Sequence, residues 1–172
     1  MKTITKDELK EILNKHLKWL KNEGGGERAY LEDAYLRGAY LGGADLRGAD
    51  LGGAEIEDKL LNKLYPIACP ESGAFVAWKK AGGKIVKLEV CEDAKRSSAF
   101  TRKCRCSAAK VLAIENVDGT DSGLTEIASN YNGNFIYKVG VIVSVPGFDE
   151  DRKNECAPGI HFFITRQEAV DW

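Results

Sequence analysis

The chain has 172 residues, enough for one large or two small domains, and its 44% apolar against 30% charged residues marks a globular rather than a disordered protein. Twenty-five Lys and Arg against 26 Asp and Glu leave a net charge of −1, which argues against a nucleic-acid coat and against a strongly acidic DNA mimic. No apolar run approaches the roughly 18 residues of a membrane span, and the polar start MKTITKDELK lacks the apolar stretch of a secretory signal. Five cysteines without CxxC spacing fit reduced thiols in a cytosol better than disulfides.

Thr5 and Glu8 have the spacing of a helix capping box. Leu9, Ile12, Leu13, His16, Leu17 and Leu20 then fall on one helical face. The pattern predicts one amphipathic helix over residues 5–23, ended by Gly24, Gly25 and Gly26. It would cap the segment that follows or pair with a second chain in a homo-oligomer. His16, on the apolar stripe, reads as a core residue.

From Ala29 the sequence runs AYLED, AYLRG, AYLGG, ADLRG, ADLGG, AEIED. Neither the helix period nor the strand period fits this spacing of five, which reads instead as a solenoid burying one Ala and one Leu per unit. Gly38, Gly43, Gly48 and Gly53 would serve the corners, with Tyr, Asp, Arg and Glu outward. These six units resemble the pentapeptide-repeat family, whose members form a right-handed, four-sided β-helix with one unit per side. The resemblance implies such a coil over residues 27–60, used as a spacer or assembly platform. At about one and a half turns it falls short of the long rods that inhibit DNA gyrase by imitating DNA.

Beyond residue 64 the composition turns to strands and turns. Residues 74–79 and 85–90 flank a hairpin turn at Gly82-Gly83, and residues 110–114, 135–145 and 160–164 read as further strands. Thr165 and Glu168 repeat the capping-box spacing and start a short terminal helix. The expected fold class is α+β, mainly β: an N-terminal helix over residues 1–26, the β-helix over 27–60, and a C-terminal α+β domain of five or six strands over 65–172. The segments CPESGAFVAWKK, EDAKRSSAFTRKCR, AKVLAI and CAPGIHFFITRQEA resemble an uncharacterised domain found behind short pentapeptide repeats in phage and prophage proteins. That resemblance implies a viral or prophage setting in a bacterial cytosol, and no activity.

Between Lys79 and Lys110 stand ten Lys or Arg against three acids, in a chain that is otherwise balanced. Lys95, Arg96, Ser97, Ser98, Arg102, Lys103 and Arg105 combine guanidinium forks, ammonium groups and hydroxyls, which suit a phosphate or carboxylate. Phe100 or Trp78 would stack on a base. The alternative is a solvated loop paired with acids such as Asp149, Glu150 and Asp151. Cys156 and His161 are a second candidate, a thiolate beside an imidazole with Glu155 or Asp151 to orient it, against a buried thiol and a core histidine. Cys69, Cys91, Cys104, Cys106, Cys156 and His161 offer soft ligands, but their spacing matches no zinc module, so neither metal nor cofactor is expected.

The reading is a non-enzymatic binding protein that sequesters an anionic small ligand, foremost a nucleotide signal of host defence. A protein inhibitor or adaptor that docks a host protein through the repeat faces or residues 149–155 is the alternative. An enzyme using Cys156 and His161 comes third. A homo-oligomer is expected; a membrane or nucleic-acid partner is not.

Overall fold

In the computed structural model, which describes residues 2–172, the chain is of mixed α+β type, with three helices and several small sheets. It divides into two units. The first runs to Pro66 and also takes in Ala99–Thr101 and Asp151–Glu155; the second is the remainder. Two later stretches thus join the first unit from beyond the boundary expected near residue 65.

In the first unit, β1 (Lys2–Thr3) precedes α1 (Lys6–Leu20). The capping box is complete: the Thr5 hydroxyl accepts the Glu8 N–H at 3.3 Å, and the Glu8 carboxylate accepts the Thr5 N–H at 2.8 Å. The helix ends before the three glycines. Asn22, at φ +55°, makes the reversal instead. The Glu23 N–H then reaches the Lys18 carbonyl at 2.9 Å and the Asn22 N–H reaches that of Trp19 at 3.1 Å, the paired bonds of a Schellman cap. Gly26 is needed for a different reason: a Cβ there would lie 2.4 Å from the Trp19 backbone nitrogen.

Along the repeats, each Leu carbonyl accepts the N–H of the next unit's Ala, from Ala34 to Leu31 at 3.1 Å through Ala54 to Leu51 at 3.0 Å. The third residue of each such turn has positive φ, from +55° at Asp33 to +79° at Gly43. That is the geometry of type II turns, in which an L side chain is strained, and it accounts for glycine at the fifth position of the repeat. Residues twenty apart then meet in parallel, Tyr30 with Asp50 and Tyr35 with Glu55. The Leu31 N–H donates to the Asp50 carbonyl at 2.7 Å and the Leu36 N–H to that of Glu55 at 2.8 Å. These are isolated bridges. Among the described residues the single named strand of the repeats is β2 (Ala34–Tyr35), paired in parallel with β1, and no continuous sheet follows the coil.

The repeat leucines fill the core of this unit with Leu9, Leu61, Ala99 and Phe100. Each buried leucine contributes about 1.5–3 kcal/mol. Leu61 comes from α2 (Asp58–Leu64), after which the Tyr65 hydroxyl accepts the Leu46 N–H at 2.5 Å and donates to the Ala44 carbonyl at 3.2 Å. Phe100 stands edge-on to Tyr65, with ring centroids 5.2 Å apart. Arg152 donates to the Tyr65 and Ala99 carbonyls and to the Asn62 amide oxygen, and Lys153 to the Ala54 carbonyl.

The second unit holds nine strands among its described residues, more than the pattern predicted. β3 (Phe75–Ala81) and β4 (Lys84–Val90) form the expected hairpin, turning at Gly82 and Gly83 with φ of +53° and +72°. β4 pairs in turn with β7 (Ala108–Glu115), and β7 with β10 (Ile142–Ser144), giving a four-stranded antiparallel sheet ordered β10-β7-β4-β3. β5 (Arg96–Ser98), β6 (Cys104–Cys106) and β11 (Ile160–Phe162) make a second sheet, and β8 (Glu126–Ala128) pairs with β9 (Ile136–Lys138). The single strand expected over 135–145 is therefore split between two sheets. Gly140, at φ +85°, breaks it, and its N–H donates to the Val111 carbonyl at 2.8 Å.

Val86, Leu88, Val90, Val111, Ile114 and Phe162 form the centre of the second core, with Cys69, Cys104 and Cys106. Trp78 exchanges two backbone hydrogen bonds with Phe163, at 2.9 and 2.7 Å. The chain ends in α3 (Arg166–Asp171), opened by a second complete capping box between Thr165 and Glu168, with Ala169 packed on Ile85 and Phe163.

Candidate functional site

The basic stretch contains the β5–β6 pair, with Lys95, Arg102 and Lys103 in irregular chain beside the strands, and its cations are engaged by this chain's own groups. Arg96 donates to five backbone carbonyls, those of Ala94, Pro70, Gly73, Cys91 and Glu92, at 2.6–3.3 Å, and lies over the Phe75 ring. Arg105 is buried. Its guanidinium donates to the Asp149 carbonyl at 2.7 Å and the Pro158 carbonyl at 3.3 Å, with the Phe148 ring 5.3 Å away. Arg102 pairs with Glu168 at 2.7 Å, Lys95 with Glu150, and Lys103 lies over the Trp172 ring.

Ser97 and Ser98 are buried, and the Ser98 hydroxyl accepts the Ala68 N–H at 2.8 Å. Phe100 belongs to the core of the first unit, and Trp78 is half-buried in β3. Each of these residues is thus bonded or packed within its own unit. The arginine forks expected to grip a ligand here gather backbone carbonyls of this chain, two of which, Cys91 and Pro158, also accept the Ala94 and Asp149 N–H groups.

Cys156 is exposed before β11, and His161 is half-buried in β11 opposite Arg105. Cys69, Cys104 and Cys106 lie in the second core with Cys91 packed against it, but no group of three or more such ligands among the described residues is arranged to hold a metal. Burial pushes the Cys106 thiol up to about 12.

The first unit carries an opening of its own. Between α1 and the repeats lies a groove of about 650 Å³. Leu9, Leu13 and Leu17 line one side, and Leu36, Ala39 and Tyr40 the other. Leu17 is 43% exposed and Tyr40 89%, although both are large and apolar. Lys6, Lys10 and Arg37 stand on the rim. Arg37 pairs with Glu55 at 3.4 Å, whereas Lys6 and Lys10 have no ion pair among the described residues.

Asp45, the one acid among the described lining residues, is held by the Arg47 guanidinium, which keeps its carboxyl below the usual range. Elsewhere on α1, buried His16 accepts the Ala29 N–H on Nδ1 at 3.1 Å, and burial lowers its basicity. Sequence reasoning found this helix face and missed that Leu17 stays uncovered. The available signal was tyrosine at the outward second position of the repeat, at 30, 35 and 40.

Comparison with known families follows the same division. A model described as a family of unknown function, DUF5758, matches residues 65–169. The chain belongs to that family. A model of pentapeptide repeats, in eight copies, matches residues 27–58. No curated protein and no solved structure matches the chain. No helix among the described residues is long and apolar enough to cross a membrane.

Within the DUF5758 region one further titratable group stands out. Lys79, in β3, donates to the Tyr137 hydroxyl at 2.5 Å and lies 4.5 Å from the centroid of that ring. Burial lowers its pKa to about 8. Between about 8 and the ordinary lysine value of about 10.4, the unfolded chain binds more protons at this position than the folded one, so Lys79's contribution to stability rises with pH. The stability of Lys79→Met relative to wild type is thus expected to fall across that window and to stay flat from pH 6 to 7.5, as measured by urea denaturation. A difference that does not change with pH would return Lys79 to the ordinary lysine range.

Proposed function

We propose that the chain is a non-enzymatic binding protein that holds an acidic amphipathic helix of a partner protein in the groove between α1 and the repeats. The observation that carries this reading is the groove itself: an apolar floor with Leu17 and Tyr40 exposed, bordered by Lys6 and Lys10, which have no ion pair among the described residues. An amphipathic helix supplies the matching apolar stripe, and acidic residues beside that stripe complement the rim. Tyr40 is the kind of aromatic anchor that dominates such interfaces.

We infer that the twenty-residue spacing of the parallel bridges is one turn of a right-handed, four-sided β-helix, so that the repeats form a rigid wall for the groove. A phage or prophage origin would make a bacterial host protein the partner and its cytosol the setting, with which five free cysteines agree. Sequestration of a nucleotide is the weaker reading, because the cations it calls on are already bonded within the chain.

The test uses a fluorescently labelled model helix of leucine and glutamate, titrated with the full-length protein and followed by anisotropy. Binding is expected to weaken at least tenfold in the double variant Lys6→Glu, Lys10→Glu, and to recover when the probe's glutamates are replaced by lysine. A wild-type protein that ignores the acidic probe would overturn the reading, and so would a concentration-dependent dimer whose interface hides Leu17 and Tyr40.

A further inference from the structure

Two cysteines far apart in sequence meet in the second core. Cys104 lies in β6, where its register partner on β5 is Ser98. The Ser98 hydroxyl accepts the Ala68 N–H at 2.8 Å, which brings the next residue, Cys69, against Cys104. Both thiols belong to the same buried cluster, where each perturbs the other's ionisation, and the Cys104 thiol donates to the Arg102 carbonyl at 3.5 Å. Arg96 fixes the chain beyond Cys69 by donating to the Pro70 and Gly73 carbonyls, at 3.3 and 2.8 Å. The pair is therefore held from both sides.

We propose that Cys69 and Cys104 are an oxidisable dithiol, a modification site at which a hydroperoxide converts the two thiols into a disulfide. Cys69 is the attacking sulfur. It is 5% exposed against 0% for Cys104, and it sits in irregular chain at the surface side of the cluster. Its contact with Cys104 lowers its pKa, and the Arg96 cation adds to the effect, while the same contact pushes Cys104 well above the ordinary thiol range.

The Cys69 thiolate attacks one oxygen of the peroxide, an S–O bond forms, and the O–O bond breaks. The other oxygen leaves as hydroxide or alkoxide and takes up a proton. Cys104 sulfur then displaces the sulfenic oxygen, which departs as water with the Cys104 proton. Two thiols lose two electrons in total, and the peroxide gains them.

The experiment treats the full-length protein with a small excess of hydrogen peroxide at neutral pH, followed by non-reducing peptide mapping. The expected product is a Cys69–Cys104 cross-linked peptide pair that disappears on reduction, with a higher Tm for the oxidised protein. In Cys104→Ser, whose folding is checked by circular dichroism, Cys69 is expected to accumulate as a sulfenic acid that dimedone captures. Oxidation confined to exposed Cys156, or a Cys69 that dimedone never labels in Cys104→Ser, would overturn the proposal.

Discussion

Replacing Arg105 by alanine is expected to destabilise the second unit by about 3–4 kcal/mol, which for a domain of this size lowers Tm by well over 10 °C. The side chain is 2% exposed, and its guanidinium bonds the carbonyls of Asp149 and Pro158. Truncation strips those carbonyls of a charged donor, at about 1.5–3 kcal/mol for a bond to a charged group, with the Pro158 carbonyl keeping the Asp149 N–H. It also removes the flat cation from the Phe148 face and leaves a cavity beneath the loop.

Arg105→Met separates these effects. It keeps most of the volume and loses the donors, so it should recover only the packing part. Arg105→Lys keeps the charge and loses the fork. Urea denaturation of the three variants ranks the contributions. If Arg105→Ala melts within about 1 kcal/mol of wild type, its bonds to the Asp149 and Pro158 carbonyls do not hold the second unit together.

Leu46→Ala is expected to cost the first unit a comparable amount, about 2–5 kcal/mol. Leu46 is fully buried, and its N–H is held by the Tyr65 hydroxyl, so its surroundings cannot collapse freely into the space it leaves. Hydrogen exchange read by mass spectrometry localises the effect: faster exchange should spread to the amides of residues 31–56, because neighbouring turns of the repeat share one core. Tyr65→Phe, which removes the hydroxyl that bonds both Leu46 and Ala44, should cost about 1–2 kcal/mol. Leu17→Ala, at the exposed edge of the groove, should change stability little. An effect of Leu46→Ala no larger than that of Leu17→Ala would mean that the repeats do not form a shared core.

Features set by short-range chemistry were legible in the chain. The two capping boxes, the Gly82-Gly83 hairpin and the five-residue period each depend on residues a few places apart, and all three are found. β5 and β6 escaped notice because RSS and CRC carry no β-branched apolar alternation; they are strands because β11 pairs with β6 and because distant carbonyls satisfy Arg96 and Arg105. The run over 135–145 misled in the opposite direction, its apolar residues concealing a turn at Gly140. The groove was half visible. Its helix side follows from periodicity, but which leucine stays uncovered depends on where the repeats fall.

The first unit draws on three separate stretches of chain, and this limits how such a protein can be cut and recombined. A fragment ending at Pro66 would carry every pentapeptide yet lack Ala99 and Phe100 from its core, and the Arg152 and Lys153 groups that bond the Tyr65 and Ala54 carbonyls. A genetic crossover at that point would transplant the visible repeat and leave its support behind. Exchange between relatives should therefore succeed when the repeats travel together with these two downstream stretches.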